Sequence, residues 1–296
     1  HLLTGDGRIG ARIVADPRLG GIAFTGSNVT AWSIQRALAD RRGPMIPLIA
    51  ETGGINAMIA DSSALPEQVV RDCIRSAFDS AGQRCSAARV LFVQDEVAER
   101  TIEVLTGAML ELTIGDPLSY ATDIGPVIDE DAQEALQAHK LRMRRSAREL
   151  LDPTLPVVCH AGTFVAPALY EIDRLDVLEA EVFGPILHVV RYPRQHLDKV
   201  CSAINASGYG LTLGLHSRID AVHDFVAERV RVGNIYINRN QIGAVVGVQP
   251  FGGEGLSGSG PKAGGPYTLL RYALERVRTT DLTATGGNRQ LLSPDA

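Results

Sequence analysis

Gly21-Ile22-Ala23-Phe24-Thr25-Gly26-Ser27 and Met45-Ile46-Pro47-Leu48-Ile49-Ala50-Glu51 bracket a run in which Ala31, Ile34, Ala37 and Leu38 recur at helical spacing. The first stretch predicts a short buried strand that turns at Thr25-Gly26-Ser27, and Gly43-Pro44 closes the helix that follows. The second stretch predicts another apolar strand, so residues 21–50 form a βαβ unit with a right-handed crossover. Glu51 then sits at a strand's carboxyl end, facing a crevice.

The same alternation continues downstream. Val69, Val70, Cys73, Ile74, Ala77 and Phe78 make the broad stripe of a core-facing helix that Gly82 ends, and Val90-Leu91-Phe92-Val93 is a buried strand. Cys85 therefore lies between a helix and a strand. Helices are expected near 96–112, 195–206 and 219–231, with strands near 163–166, 186–190, 211–216 and 234–238. Leu269–Leu274 reads as helical, Arg276–Thr283 as extended, and the polar end beyond Gly286 as disordered. The class is α/β.

Composition narrows the function. The chain has 29 basic and 34 acidic residues in 296, a net charge of −5, which offers no broad basic field to nucleic acid or anionic lipid. A small-molecule substrate is the default expectation. No apolar run approaches the roughly 20 residues of a spanning helix, so a cytoplasmic setting is expected. The four cysteines (Cys73, Cys85, Cys159, Cys201) form no CxxC pair and are expected to be reduced. A chain opening on His1, close to a glycine-rich turn, reads as a fragment of a longer one.

Cys73 lies on an apolar helix face, Cys159 follows two valines in an expected strand, and Cys201 sits within a helix; buried thiols of this kind are inert. Cys85, in Gly82-Gln83-Arg84-Cys85-Ser86, has polar neighbours, and Arg84 is expected to favour its thiolate. Glu51, in Glu51-Thr52-Gly53-Gly54-Ile55-Asn56, follows an apolar run that can desolvate it and raise its pKa toward that of a useful base; alternatively it is a solvated strand-end carboxylate. Cys85 and Glu51 are expected on opposite sides of one pocket. Ser27 either meets a pyrophosphate at a helix N-terminus or merely caps that helix.

Gly5-Asp6-Gly7-Arg8-Ile9-Gly10 matches GxGxxG but lacks a preceding strand and a following acidic strand end, so it is set aside. In Gly252-Gly253-Glu254-Gly255-Leu256-Ser257-Gly258-Ser259-Gly260-Pro261-Lys262 the lysine follows proline, so this is no Walker loop. Tight backbone packing near the active site is the better expectation there. Neither zinc spacing nor a GxSxG elbow occurs, and no metal is expected.

The segments around Glu51 and Cys85, with Glu181-Val182-Phe183-Gly184-Pro185 and Pro250-Phe251-Gly252-Gly253, occur in the order and approximate spacing of aldehyde dehydrogenases, and the chain resembles that superfamily. Gln241–Gly253, Gly258–Pro266 and Asn234–Asn240 look most like the glutamate-semialdehyde (pyrroline-5-carboxylate) dehydrogenase domain of bacterial bifunctional proline utilization A flavoenzymes. The resemblance implies the aldehyde dehydrogenase fold: the C-terminal part of a Rossmann-type NAD-binding domain (1–52), an α/β catalytic domain (53–257), and a return to the NAD-binding domain with an oligomerisation strand and polar tail (258–296).

It further implies that Cys85 attacks the aldehyde, that hydride passes to NAD, and that Glu51 activates the water that releases glutamate. Thr25, Gly26, Ser27, Gly53, Glu181 and Phe183 would contact NAD, with Glu181 on the nicotinamide ribose and Ser27 on the pyrophosphate. Ser86 and the N–H groups of Gly243 and Ala244 would anchor the substrate carboxylate beside a Phe251 wall. The family's oxyanion asparagine and ribose-binding lysine precede the region corresponding to His1. A homo-oligomer, an upstream proline dehydrogenase domain carrying FAD, and a parent that is cytoplasmic or peripheral at the inner membrane are implied as well. The alternatives are a non-catalytic assembly module of the same fold, a dehydrogenase for another aldehyde, or a cysteine-dependent acyl transferase.

Overall fold

A computed structural model describes residues 1–281. Its elements in chain order are α1 (Gly7–Val14), β1 (Ile22–Thr25), α2 (Asn28–Asp40), β2 (Leu48–Glu51), β3 (Asn56–Ala60), α3 (Pro66–Phe78), β4 (Ala88–Gln94), α4 (Asp95–Leu110) and α5 (Glu130–Ser146). There follow β5 (Arg148–Leu151), β6 (Ala168–Glu171), β7 (Ile186–Tyr192), α6 (Leu197–Ala206), β8 (Tyr209–Gly210), β9 (Thr212–His216), α7 (Asp220–Ala227), β10 (Asn234–Ile237) and β11 (Glu254–Gly255).

The expected βαβ unit is present: β1 and β2 pair in parallel, with Thr25 opposite Glu51, and α2 crosses between them. Met45, Ile46 and Pro47 stay outside β2. A chain segment from the far end closes the other edge. Ser259 donates its N–H to the Ala50 carbonyl (2.8 Å), its hydroxyl accepts the Ala50 N–H (2.9 Å), and Thr52 N–H reaches the Ser257 carbonyl (3.0 Å).

After the four residues 52–55 the chain enters a seven-stranded sheet of order β10-β9-β3-β4-β7-β6-β5, parallel except for β5 at the edge. Every residue of β3, β4 and β9 is buried, as expected of strands covered on both faces. Helix α3 begins with Pro66 at its first turn, where no N–H is missed, and buries Val69, Val70, Cys73, Ala77 and Phe78 on the core.

The structure corrects several local expectations. Strand β3 lies outside the sequence expectations, because Asn56-Ala57-Met58-Ile59-Ala60 lacks alternation and carries a single β-branched residue, Ile59. Helix α5 is polar nearly all round, burying only Leu136, His139, Lys140 and Met143, so its apolar period is faint. The strand expected at 163–166 lies instead at β6, beyond Pro167, and Cys159 sits in a 3-10 turn (Val157–Cys159) rather than a strand. Helix α7 stops at Ala227, and the helix expected at 269–274 is a 3-10 turn over Leu269–Tyr272. The GxGxxG stretch opens α1, where Asp6 caps the helix by accepting the Arg8 N–H at 2.9 Å. Residues 276–281 form no strand within the chain, and Thr283 and the tail beyond Gly286 lie outside the described residues.

Candidate active site

The large sheet and the small one meet in opposite senses. β1 and β2 present their carboxyl ends, whereas β3, β4, β7 and β9 present their amino ends, and the space between is a cavity of about 960 Å³. Its walls include Thr25, Gly26, Ser27 and Gly53 from the small-sheet side. Cys85, Ser86, Glu181, Phe183, Ala244 and Phe251 face them. Ten of the twelve expected site residues thus share one cavity. The other two, Glu51 and Gly243, are not among its lining residues.

Cys85 is placed by a strained turn. After α3, Ser80 (φ 57°), Ala81 (φ 52°) and Gly82 (φ 67°) run through the left-handed region, and a side chain on Gly82 would overlap the Gly184 carbonyl. Only glycine lets the two loops approach. From β3, the Asn56 amide donates to the carbonyls of Cys85 (2.6 Å) and Ala87 (2.9 Å) and accepts the Thr212 N–H (3.2 Å). Thr212 and Gln241 hold the Ser86 carbonyl at 3.1 Å and 3.5 Å.

Arg89, 1% exposed on β4, ties this loop to the segment that carries Glu181. Its guanidinium donates to the carbonyls of Gly82 (2.6 Å), Gly184 (3.3 Å) and Arg84 (3.0 Å) and pairs with Glu181 Oε1 at 3.0 Å. The Phe183 ring centroid lies 5.2 Å from the same cation. Behind it, His188 and the Arg89 carbonyl are 2.9 Å apart, and His188 meets His139 at 2.9 Å. Burial lowers the pKa of His188 to about 3 and of His139 to about 4, so this pair is neutral at physiological pH.

Glu181 fixes its neighbours too. Its carboxylate lies where a Gly53 side chain would be, and the Gly54 N–H points to it. Glycine at 53 is thus required by a residue far away in sequence.

Electrostatics at the sulfur differ from the sequence expectation. Arg84 is exposed, its Nε donating to Ser80 Oγ at 3.0 Å, and it is not among the groups that act on the sulfur. Burial pushes the Cys85 thiol above its ordinary range; Glu181 and Glu51 push the same way, against the N–H groups of Ser86 and Cys85. The resting group is a thiol. Thiolate accumulates only as pH rises, so alkylation by iodoacetamide should accelerate toward alkaline pH. Glu181→Gln removes the largest like charge and should shift that profile to lower pH. A drop of one pKa unit would give about tenfold more thiolate near neutrality. A profile identical to wild type would show that Glu181 does not act on the sulfur.

Glu51 is half-buried and turned beneath the glycine-rich segment rather than into the cavity. Its Oε2 accepts the Gly253 N–H at 2.9 Å, while Oε1 is buried without a hydrogen-bond partner. Burial raises its pKa; the N–H groups of Gly253 and Gly260 and the Lys262 cation pull it back. The solvated strand-end alternative is excluded by this burial. Gly243 makes the turn of its loop with φ 69° and leaves the wall to Ala244.

Ser27 adopts the capping role, its hydroxyl accepting the Thr30 N–H at 3.2 Å, and lines the cavity as well. Beside it the first N–H groups of α2 are available to an anion. Sequence reasoning missed Asn56, Arg89, Tyr209 and Gln241. Tyr209 lines the cavity next to the Glu181 backbone. A lone arginine inside the apolar run Ala87-Ala88-Arg89-Val90-Leu91 was the one readable signal among them.

A model of the aldehyde dehydrogenase family matches residues 1–277. The bifunctional protein PutA of Klebsiella aerogenes is 55% identical over 285 residues, covering 93% of this chain and 22% of that protein. A crystal structure of a bifunctional proline utilization A protein superposes with a TM-score of 0.92 at 58% identity, over 97% of this chain and 29% of that one. A 1-pyrroline-5-carboxylate dehydrogenase from Thermus with bound NAD gives a TM-score of 0.84 at 31% identity, over 90% of this chain and 52% of that one. The chain therefore spans less than a third of the PutA proteins it matches and about half of the shorter dehydrogenase.

Proposed function

Because the chain belongs to the aldehyde dehydrogenase family, we propose that it carries the reacting groups of an NAD-dependent dehydrogenase that converts L-glutamate γ-semialdehyde to L-glutamate, the second step of proline catabolism. One observation carries the reading: a single cavity joins the Cys85 sulfur to the helix-terminal arm Thr25-Gly26-Ser27 on one side and to Ser86, Ala244 and Phe251 on the other.

The pocket suits NAD. The α2 N-terminus offers N–H groups to a pyrophosphate, the absence of a side chain at Gly53 lets the Glu181 carboxylate close up to that strand end, and Glu181 and Phe183 line the cavity with Cys85. Ser27, Thr25 and Gly26 would hold the phosphates, and Glu181 a ribose hydroxyl. Bound NAD would accept the hydride that leaves the former carbonyl carbon.

The protein supplies the rest. Cys85 Sγ forms a C–S bond to the aldehyde carbon as its proton leaves, and the N–H groups beside the sulfur favour the anionic form. After oxidation a thioester remains. Glu51, swung from its seat under Gly253, takes a proton from water; the hydroxide adds to the thioester, the C–S bond breaks, and the thiol is restored. Ser86 and the 243–244 backbone would anchor the substrate's α-carboxylate against Phe251.

The reading extends to a longer parent chain with an upstream FAD-bearing proline dehydrogenase domain, to a homo-oligomer and to a cytoplasmic setting. Similarity to the bifunctional proline utilization proteins supports the first of these. The four free thiols fit a reducing compartment. Among the described residues no helix is long and apolar enough to cross a membrane.

The test is NADH formation by the whole protein. Glutamate semialdehyde should be preferred over propanal by on the order of a hundredfold or more in kcat/KM, because propanal leaves the carboxylate anchor unpaired. Equal efficiency would overturn the substrate while leaving the chemistry; no NADH from either aldehyde would overturn the chemistry.

A further inference from the structure

Lys262 ends the glycine-rich run that the sequence left without a chemical role. Its ammonium donates to the Gly233 carbonyl and to Asn234 Oδ1 (3.1 Å) at the start of β10. The Asn234 amide donates to the Pro250 carbonyl (3.0 Å), and its oxygen also accepts the Gly252 N–H (3.4 Å). Phe251 and Ala263 exchange both backbone hydrogen bonds, at 3.0 and 2.8 Å. The segment 250–263 is thus a hairpin whose two ends are pinned to β10 by one lysine and one asparagine.

Glu51 sits inside that hairpin. Gly253 donates to one carboxylate oxygen, and a Cβ on Gly258 would come within 2.7 Å of the group, so only glycine fits there. The other oxygen, Oε1, is buried with no hydrogen-bond partner, and it lies 3.1 Å from the point where a Gly252 Cβ would stand, itself 3.2 Å from the Lys262 Cα.

We propose that Lys262, fixed by Asn234, is a positioning residue for the base: it holds closed the glycine hairpin in which the Glu51 carboxylate is seated. The proposal rests on the thioester reading of Cys85 and Glu51 and deepens it.

The charges that face Glu51 come from three segments. Lys262 lies on the hairpin and the Cys85 thiol on the loop after α3; Glu181, on a third segment across Gly53, acts on that thiol, and Glu254 acts on Lys262. Burial favours the protonated acid at Glu51; the Gly253 and Gly260 N–H groups oppose it first, and the lysine adds to them. A general base works only above its pKa, so loss of the cation must move the acid limb of deacylation to higher pH.

The experiment uses 4-nitrophenyl acetate on the whole protein, an activated ester that acylates a thiol, releases nitrophenolate and leaves an acetyl thioester without NAD or aldehyde. The burst reports attack by Cys85; the steady state reports water attack aided by Glu51. In Lys262→Met the burst should persist while the acid limb of the steady state rises by about one pH unit, a roughly tenfold loss below it. Lys262→Arg should restore the limb, and Asn234→Ala should shift it upward by less. An unmoved limb in Lys262→Met, or a burst lost along with it, overturns the proposal. A wild-type burst without oxidation of glutamate semialdehyde overturns the substrate assignment alone, and a wild type with no burst removes the thioester reading beneath both.

Discussion

Cys85→Ala is expected to lower aldehyde oxidation by on the order of a thousandfold or more and to eliminate the nitrophenolate burst, while Cys73→Ala leaves both intact. The contrast follows from surroundings. Cys85 lines the cavity with two backbone N–H groups at its sulfur. Cys73 is fully buried on α3, and burial beside Asp72 drives its thiol up to about 12. Removing the Cys73 sulfur leaves a small void, a loss of about 1–2 kcal/mol in folding stability that a thermal melt would register without a change in kcat. Equal loss of turnover in the two variants would end the assignment of residue 85 as nucleophile.

Arg89→Met carries the largest expected effect on the fold. The guanidinium is buried, pairs with a carboxylate that is itself mostly buried, and satisfies the Gly82 and Arg84 carbonyls of the Cys85 turn and the Gly184 carbonyl of the facing loop. Truncating one partner of such a pair leaves the other charge uncompensated, a loss of about 3–5 kcal/mol. The double variant Arg89→Met/Glu181→Gln should recover part of that loss, since no charge is then stranded. Denaturant melts of the four proteins give the coupling directly. Turnover should not recover with stability, because the Gly82 and Arg84 carbonyls still lose the donor that fixes them, and a displaced sulfur of about 1 Å can reduce rate a hundredfold. Additive single effects would show that the pair is not coupled.

What could be read from the sequence is what is written contiguously. The β1-α2-β2 unit, α3 and β4 carry strong periods, and the nucleophile's polar loop stands out against three apolar cysteines. Glu51 could be placed at a strand end, but not turned under a hairpin two hundred residues further on, since that orientation depends on Gly253 and Gly258. Arg84 was expected to serve the thiolate because it is adjacent; adjacency in sequence did not decide where its side chain went, and the turn at Ser80 took it. Conversely, Arg89 acts on the loop from within a strand, Asn56 acts from the strand beside it, and both roles exist only once the sheet is assembled. Helix α5 and strand β5 escaped because their polar faces are satisfied by ion pairs such as Arg144–Asp152, which leave no hydrophobic signature.

Thr52-Gly53-Gly54-Ile55 is the whole distance the chain travels between the carboxyl edge of one sheet and the amino edge of the next. This short bridge works as a ruler: adding or deleting a residue would move the N-terminus of α2 relative to the Cys85 sulfur by about 3 Å, roughly one extended residue. A conservative side-chain change there perturbs one contact, whereas a change in length misaligns the two walls of the cavity at once. The spacing of the bridge, more than its chemistry, is what the architecture has made non-negotiable.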